Sequence, residues 1–141
     1  MEIKFQKLFK DTILPKYAHL GDAGLDLYSQ ENKILVPNEI YAVSLGFALE
    51  IPHGYVARIL DLSGLALKEG LHCLAGVVDA GYRGEYKAII INLGKKPYKI
   101  EKGERIAQML IQPVEICVIK EVELLSESKR GKGGFGASGK N

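Results

Sequence analysis

The feature that most restricts this chain is its punctuation. Turn signals fall every ten or so residues, and the stretches between them are apolar, β-branched or aromatic. Ile3 to Leu8 alternates as a half-buried strand does. Ile34-Leu35-Val36 ends at Pro37-Asn38. Tyr41 to Ile51 is long and apolar, Pro52-His53-Gly54 breaks it, and Tyr55 to Leu60 resumes. Leu74 to Val78 runs into Asp79, Ala80-Gly81 turns, and Tyr86 to Asn92 returns, which reads as a β-hairpin with an aspartate at its corner. Lys102-Gly103-Glu104 precedes the strand Arg105 to Ile111, and Val114 to Val118 follows Pro113. This spacing predicts an all-β barrel or sandwich.

One segment departs from it. Ser63 to Gly70 (SGLALKEG) opens on a good N-cap residue and closes on a stop glycine, so a helix of about two turns is expected with Ser63 as cap. Its free N–H groups would favour an anion. After about Glu123 the periodicity ends. We expect one β domain over residues 1–125 and a flexible C-terminal arm over 126–141.

Composition narrows the function. A chain of 141 residues, 47% hydrophobic and 26% charged, is long enough for one globular domain and too apolar to be disordered. No apolar run approaches the roughly 20 residues of a membrane helix. The N-terminal MEIKFQKLFK lacks a signal peptide's apolar core. Cys73 and Cys117 are too few for a disulfide framework or a four-cysteine zinc site and are expected as small buried hydrophobes in a cytoplasmic protein. His19, His53 and His72 have no metal-site spacing and read as surface or interface residues. The net charge of +2 belongs to the tail: Lys129, Arg130, Lys132 and Lys140 lie among the last 13 residues with no acid, and residues 1–128 carry a net −2. A body of that charge does not fit a broad nucleic-acid surface.

The tail is the most informative stretch. Arg130 to Gly139 (RGKGGFGASG) joins a guanidinium fork, glycines whose N–H groups can turn toward phosphates, and one flat ring, Phe135, suited to stacking on a base. The GxxxxGK[ST] spacing of a Walker loop is absent. A lid that orders on a nucleotide is the reading this favours over a plain basic linker. Asp79 at its turn is either a turn former or, with Tyr82 three residues on, part of a nucleotide site. Asp26, between Leu25 and Leu27, reads by alternation as an outward-facing strand residue. Ser63 lacks the GxSxG elbow of a serine nucleophile.

Five motifs, Ala23 to Ser29 (AGLDLYS), Ser63 to Gly70, Gly76 to Glu85 (GVVDAGYRGE), Gly103 to Leu110 (GERIAQML) and Arg130 to Gly139, occur in the order and at the separations of the trimeric dUTP pyrophosphatase (dUTPase) family, which the chain resembles from Ala23 to Gly139. The resemblance implies a distorted jelly-roll-like β-barrel of the β-clip type, a homotrimer with shared active sites, and Mg²⁺-assisted hydrolysis of dUTP to dUMP and pyrophosphate. That reaction limits uracil entry into DNA and supplies dUMP for thymidylate synthesis. By the same resemblance Asp79 is the general base, Tyr82 packs on the deoxyribose, and Asp26 reaches the metal through water. Leu62, Ser63, Gly64 and Gln108 lie where phosphates bind. Cys73, Ala75, Gly76, Val77 and Val78 surround the base, with Lys87 beside the site. Arg130, Phe135, Gly136, Ala137 and Ser138 belong to an arm that closes over a neighbouring subunit's site.

The departures from the family pattern are Leu62, where an arginine usually stands, Cys73, where a polar residue is common, and Ala137, where a hydroxyl is frequent. Arg58, Lys68 and Lys87 are the candidate substitutes for the missing cation. A related dCTP deaminase would need a glutamate where this chain has Ile89. A protein that binds nucleotides without cleaving them, motivated by Leu62, and a non-enzymatic β-rich interaction module are the remaining alternatives.

Overall fold

A computed structural model describes residues 1–134. Eleven strands and one helix follow one another: β1 Lys4–Lys7, β2 Leu25–Tyr28, β3 Lys33–Leu35, β4 Ile40–Ser44, β5 Phe47–Glu50, β6 Tyr55–Leu60, α1 Ser63–Glu69, β7 Leu71–Cys73, β8 Val77–Asp79, β9 Lys87–Asn92, β10 Tyr98–Ile100 and β11 Arg105–Pro113. They form a four-stranded sheet β2-β11-β6-β8, a three-stranded sheet β4-β9-β7, and the pairs β1-β5 and β3-β10, antiparallel throughout. The result is a jelly-roll-like β fold.

Alternation explains how these short strands enclose a core. In β9, Ala88, Ile90 and Asn92 face inward while Lys87 and Ile89 face out. Leu27, Leu35, Val43, Phe47, Ala57, Ile90, Ile100 and Ala107 are buried, each from a different strand. Asn92, fully buried, is satisfied as it must be: its amide donates to the Leu35 and Lys96 carbonyls and accepts from the Gly94 N–H. The long run Tyr41 to Ile51 splits into two strands at Gly46, whose φ of 74° turns the chain.

Two sequence expectations fail here for one reason: a strand's pattern does not name its partner. The segment around Asp79 is not a hairpin. β8 pairs with β6 and β9 pairs with β4 and β7, so the chain crosses from one sheet to the other between Asp79 and Lys87. Val114 to Val118 forms no strand, since β11 ends at Pro113 and Ile116, Val118 and Ile119 are more than 80% exposed within the single chain. Cys117, expected to be buried, is exposed with them, while Cys73 is half-buried. His19, His53 and His72 are at the surface as expected. No helix among the described residues is long and apolar enough to cross a membrane.

Candidate active site

The segment Asp61 to Gly64 leaves β6 and enters α1. Leu62, not Ser63, is the N-cap: its backbone is extended (φ −85°, ψ 123°) and no side chain caps the helix. The Leu62 carbonyl accepts the Ala66 N–H, and Ser63 is the first helical residue. A sequence argument places a hydroxyl at the cap because it can accept an N–H, but the turn out of β6 reaches helical geometry one residue early. Gly70 ends the helix in the left-handed region (φ 73°), and a β-carbon there would lie 2.7 Å from the Gly94 nitrogen, so the stop glycine is required twice.

Ser63, Gly64, Leu65 and Lys68 from this segment face Glu104, Arg105 and Gln108 of the β11 region across an open cleft of about 570 Å³. Gln108 donates from Nε2 to the Asp61 carbonyl at 2.7 Å. A β-carbon on Gly24 would fall 2.2 Å from Gln108 Oε1, so the first motif has glycine there to admit the fourth motif's amide. Asp61 is fixed at both ends. Its carboxylate accepts the Cys73 N–H and faces His72 Nδ1 at 2.8 Å. Burial works to raise the Asp61 pKa, but these hydrogen bonds outweigh it and hold the carboxyl below the ordinary aspartate value. This staple joins the two larger sheets under the cleft. Of the three candidate substitute cations, Lys68 lines this cleft, Lys87 lines another, and Arg58 lines neither.

Gly64 is informative for what does not surround it. Its φ is outside the left-handed region, and a β-carbon would meet nothing within 4 Å. Glycine in a helix is unfavourable by up to ~1 kcal/mol relative to alanine, and no protein atom here requires it. Gly64 lines the cleft between α1 and the β11 region. Gly64→Ala is therefore expected to raise thermal stability slightly and to raise KM; a melting curve with steady-state kinetics checks both signs together.

A second cleft, of about 340 Å³, is lined by Val77, Val78, Asp79, Tyr82, Glu85, Tyr86 and Lys87 with Ala42 and Ile89. Asp79 ends β8, exposed, and its carbonyl accepts the Tyr82 N–H at 3.0 Å. Arg83 braces the turn by donating to the Ala80 and Tyr82 carbonyls. Tyr82 donates its hydroxyl to the Glu85 carbonyl, and its ring lies over Gly84, where a β-carbon would be 2.4 Å from the Tyr82 oxygen. Lys87 Nζ is 3.6 Å from Glu85.

The link between β7 and β8 carries Ala75 and Gly76, both with positive φ (57° and 93°). Gly76 passes so close to β6 that a β-carbon would be 2.3 Å from the Ile59 carbonyl. The Cys73 and Leu74 N–H groups bond to Asp61 and Ile89, and the Gly76 carbonyl accepts from Ile59. Among the described residues, the Ala75 and Gly76 N–H groups have no partner.

Asp26 departs from its expected outward position. It is 7% exposed, and Arg105 donates to it at 3.0 Å, which raises the guanidinium's already high pKa. Arg105 was not legible as a site residue, because only the register of β2 against β11 brings it to Asp26. The pair sits in a cleft with Lys16, Tyr17, Ala18, Tyr28 and Gly103 that shares Arg105 with the Ser63 cleft. Among the described residues no group of three His, Cys, Asp or Glu side chains could cage a metal. A Mg²⁺ ion that keeps its waters and binds chiefly to phosphates needs only a carboxylate or two; Asp26 offers one beside this cleft, already paired with Arg105.

Two groups stand apart, the Ser63–Gln108 cleft with the adjoining Asp26–Arg105 cleft and the Asp79–Tyr82 cleft. Gln108 lies opposite Leu60 on β6, and Asp79 lies opposite Val56 on the other side of β6. Four residues along a strand and two strand spacings across put the two backbones roughly 16 Å apart. Arg130 lies outside both clefts, in a turn where its Nε donates to the Gly133 carbonyl. Phe135, Gly136, Ala137 and Ser138 lie outside the described residues.

Comparison with known proteins gives a consistent answer. The family model described as dUTPase matches residues 10–139. The deoxyuridine 5'-triphosphate nucleotidohydrolase of Clostridium tetani is 49% identical over 140 residues, covering 98% of this chain and 97% of that protein. The solved structure of the Staphylococcus bacteriophage 80alpha dUTPase with dUPNHPP superposes with a TM-score of 0.93 at 33% identity, covering 98% of each chain. A mutant dUTPase from phage phi11 of S. aureus, solved to reveal the coordination of a structural Mg(II) ion, superposes with a TM-score of 0.85 at 27% identity over 90% of this chain and 100% of that one.

Proposed function

The chain belongs to the dUTPase family, and on that premise we propose how it hydrolyses dUTP to dUMP and pyrophosphate, at sites shared between the subunits of a homotrimer. One observation carries the shared-site reading. The Asp79–Tyr82 cleft and the Ser63–Gln108 cleft lie at opposite ends of β6, too far apart for one α-phosphorus to meet both in a single subunit. A second copy can bring its Asp79 to the first copy's Ser63. The exposed apolar side chains of Ile116, Val118 and Ile119 support the same reading, since a lone subunit leaves them in water.

In this reading the β domain (1–125) binds substrate and the arm (126–141) closes over a neighbour's site. Asp79 takes a proton from water as that water attacks the α-phosphorus in line with the departing pyrophosphate. Its exposure at a strand end leaves room for the water. Ser63, Gly64 and Gln108 contact the phosphates, Leu62 contributes main chain only, and Lys68 and Arg105 add positive charge to the same cleft. Asp26 would hold Mg²⁺ through water, and the ion would offset the triphosphate charge. Cys73, Ala75, Gly76, Val77 and Val78 surround the base, and the unpartnered N–H groups of Ala75 and Gly76 suit the carbonyl oxygens of uracil. Tyr82 packs against the deoxyribose, so that a 2′-hydroxyl would collide with its ring. Lys87 completes that cleft. Arg130, Phe135, Gly136, Ala137 and Ser138 act from the arm. A cytoplasmic location fits a nucleotide substrate.

The test is to incubate the protein with Mg²⁺ and dUTP, dCTP, dTTP or UTP and assay pyrophosphate and ammonia, with light scattering on the same sample. Pyrophosphate from dUTP alone, at a mass near three chains, is expected. Ammonia from dCTP, tight binding without turnover, or activity in a monomer would each overturn the scheme.

A further inference from the structure

Behind Tyr82 runs a column of rings. Phe5 on β1 meets Phe47 on β5 with centroids 5.1 Å apart; Phe47 stacks on Tyr86 at 5.3 Å and 26°; Tyr86 meets Tyr82 at 5.9 Å and 55°. These are the separations of favourable tilted and offset aromatic pairs. Phe47 and Tyr86 are each 1% exposed, whereas Tyr82 is 45% exposed at the cleft. The main chain is fastened alongside, since the Tyr86 N–H donates to the Phe47 carbonyl and its own carbonyl accepts from Leu45. The column connects the rigid core to the one exposed ring of the Asp79 cleft.

Tyr86 has a second peculiarity. Its hydroxyl is buried with no hydrogen-bond partner among the described residues, and burial pushes the phenol up to about 12, so it stays protonated. The ring is thus well packed while its polar atom does nothing for the fold. From this packing we infer that Tyr86 is a positioning residue for sugar specificity: its ring sets the height of the Tyr82 ring above the cleft floor. The inference rests on the reading that Tyr82 abuts the deoxyribose. The Tyr82 hydroxyl is already tied to the Glu85 carbonyl, so the remaining freedom of that side chain is a tilt of its ring toward the core. Tyr86 blocks that tilt. Without it the Tyr82 ring sinks and room opens for a 2′-hydroxyl.

The measurement is the ratio of kcat/KM for dUTP to that for UTP. Tyr86→Phe keeps the ring and is expected to leave the ratio within about twofold of the parent, because only an idle hydroxyl is lost. Tyr86→Leu is expected to lower the ratio about tenfold or more, through a gain on UTP, a size typical of one steric rejection. General destabilisation would lower both substrates together and leave the ratio alone. Tyr82→Ala is the control. If Tyr82→Ala relaxes the ratio and Tyr86→Leu does not, the positioning role of Tyr86 falls while the sugar-packing role of Tyr82 stands. If Tyr82→Ala keeps full discrimination, the sugar-packing reading falls and takes the inference with it. Should Tyr86→Leu not fold, nuclear Overhauser contacts between the Tyr82 and Tyr86 rings in the intact protein decide. Contacts that persist with a non-hydrolysable dUTP analogue uphold the inference, and their loss overturns it.

Discussion

Asp79→Asn is expected to lower kcat by about 10³-fold or more, within the upper range of general-base contributions, while dUTP affinity changes little. The substitution removes the proton acceptor and keeps the shape. The fold should not notice it. The Asp79 side chain is exposed and makes no hydrogen bond among the described residues, and surface changes of that kind stay within about 0.5 kcal/mol. Single-turnover kinetics with dUTP, and calorimetry with a non-hydrolysable analogue, separate the two quantities. Lost binding with turnover retained would show that Asp79 holds substrate without activating water. Hydrolysis in ¹⁸O-labelled water adds an independent check, because attack at the α-phosphorus sends the label to dUMP; label in pyrophosphate would move the reaction to another phosphorus.

Deleting residues 128–141 is the second large effect. It removes Lys129, Arg130, Lys132 and Lys140, every cation of the tail, together with Phe135. A charge-assisted contact from Arg130 is worth about 1.5–3 kcal/mol and a ring stacked on a base about 1–3 kcal/mol, so kcat/KM should fall by roughly 10²–10⁴. Stability should hardly move. Among the described residues of this segment, Ser128 to Lys132 are exposed, their hydrogen bonds are local to the turn, and only Gly133 and Gly134 are half-buried. Circular dichroism melting beside the kinetics checks this. A truncated protein that unfolds, or one as active as the full chain, would remove the arm from the mechanism.

Much of this was legible from the residues. Tyr55 to Leu60 resumes after the Pro52–Gly54 break and is β6; Gly70 stops a short helix; Asp79 and Tyr82 sit together because three residues of tight turn keep them together. These are local facts, fixed by side-chain period and by backbone freedom at glycine. Most of the errors were non-local. Asp26 looked outward by alternation, yet β11 carries Arg105 against it and makes it a buried, paired carboxylate. Val114 to Val118 has a strand's composition and no strand pairs with it among the described residues. Ser63 had a cap's chemistry, but the path out of β6 gave the cap to Leu62.

The sequence alone determined the class of fold, the order of the motifs and the residue types able to bind a nucleotide, because hydrophobic period and turn chemistry act over a few residues. Tertiary structure decided which strands meet. It sent β8 to β6 and β9 to β4, laid Tyr86 beneath Tyr82, and set Gln108 and Asp79 at opposite ends of one strand. Pairing and packing are settled by burial and hydrogen-bond satisfaction over the whole chain at once, and no short window of residues contains that sum.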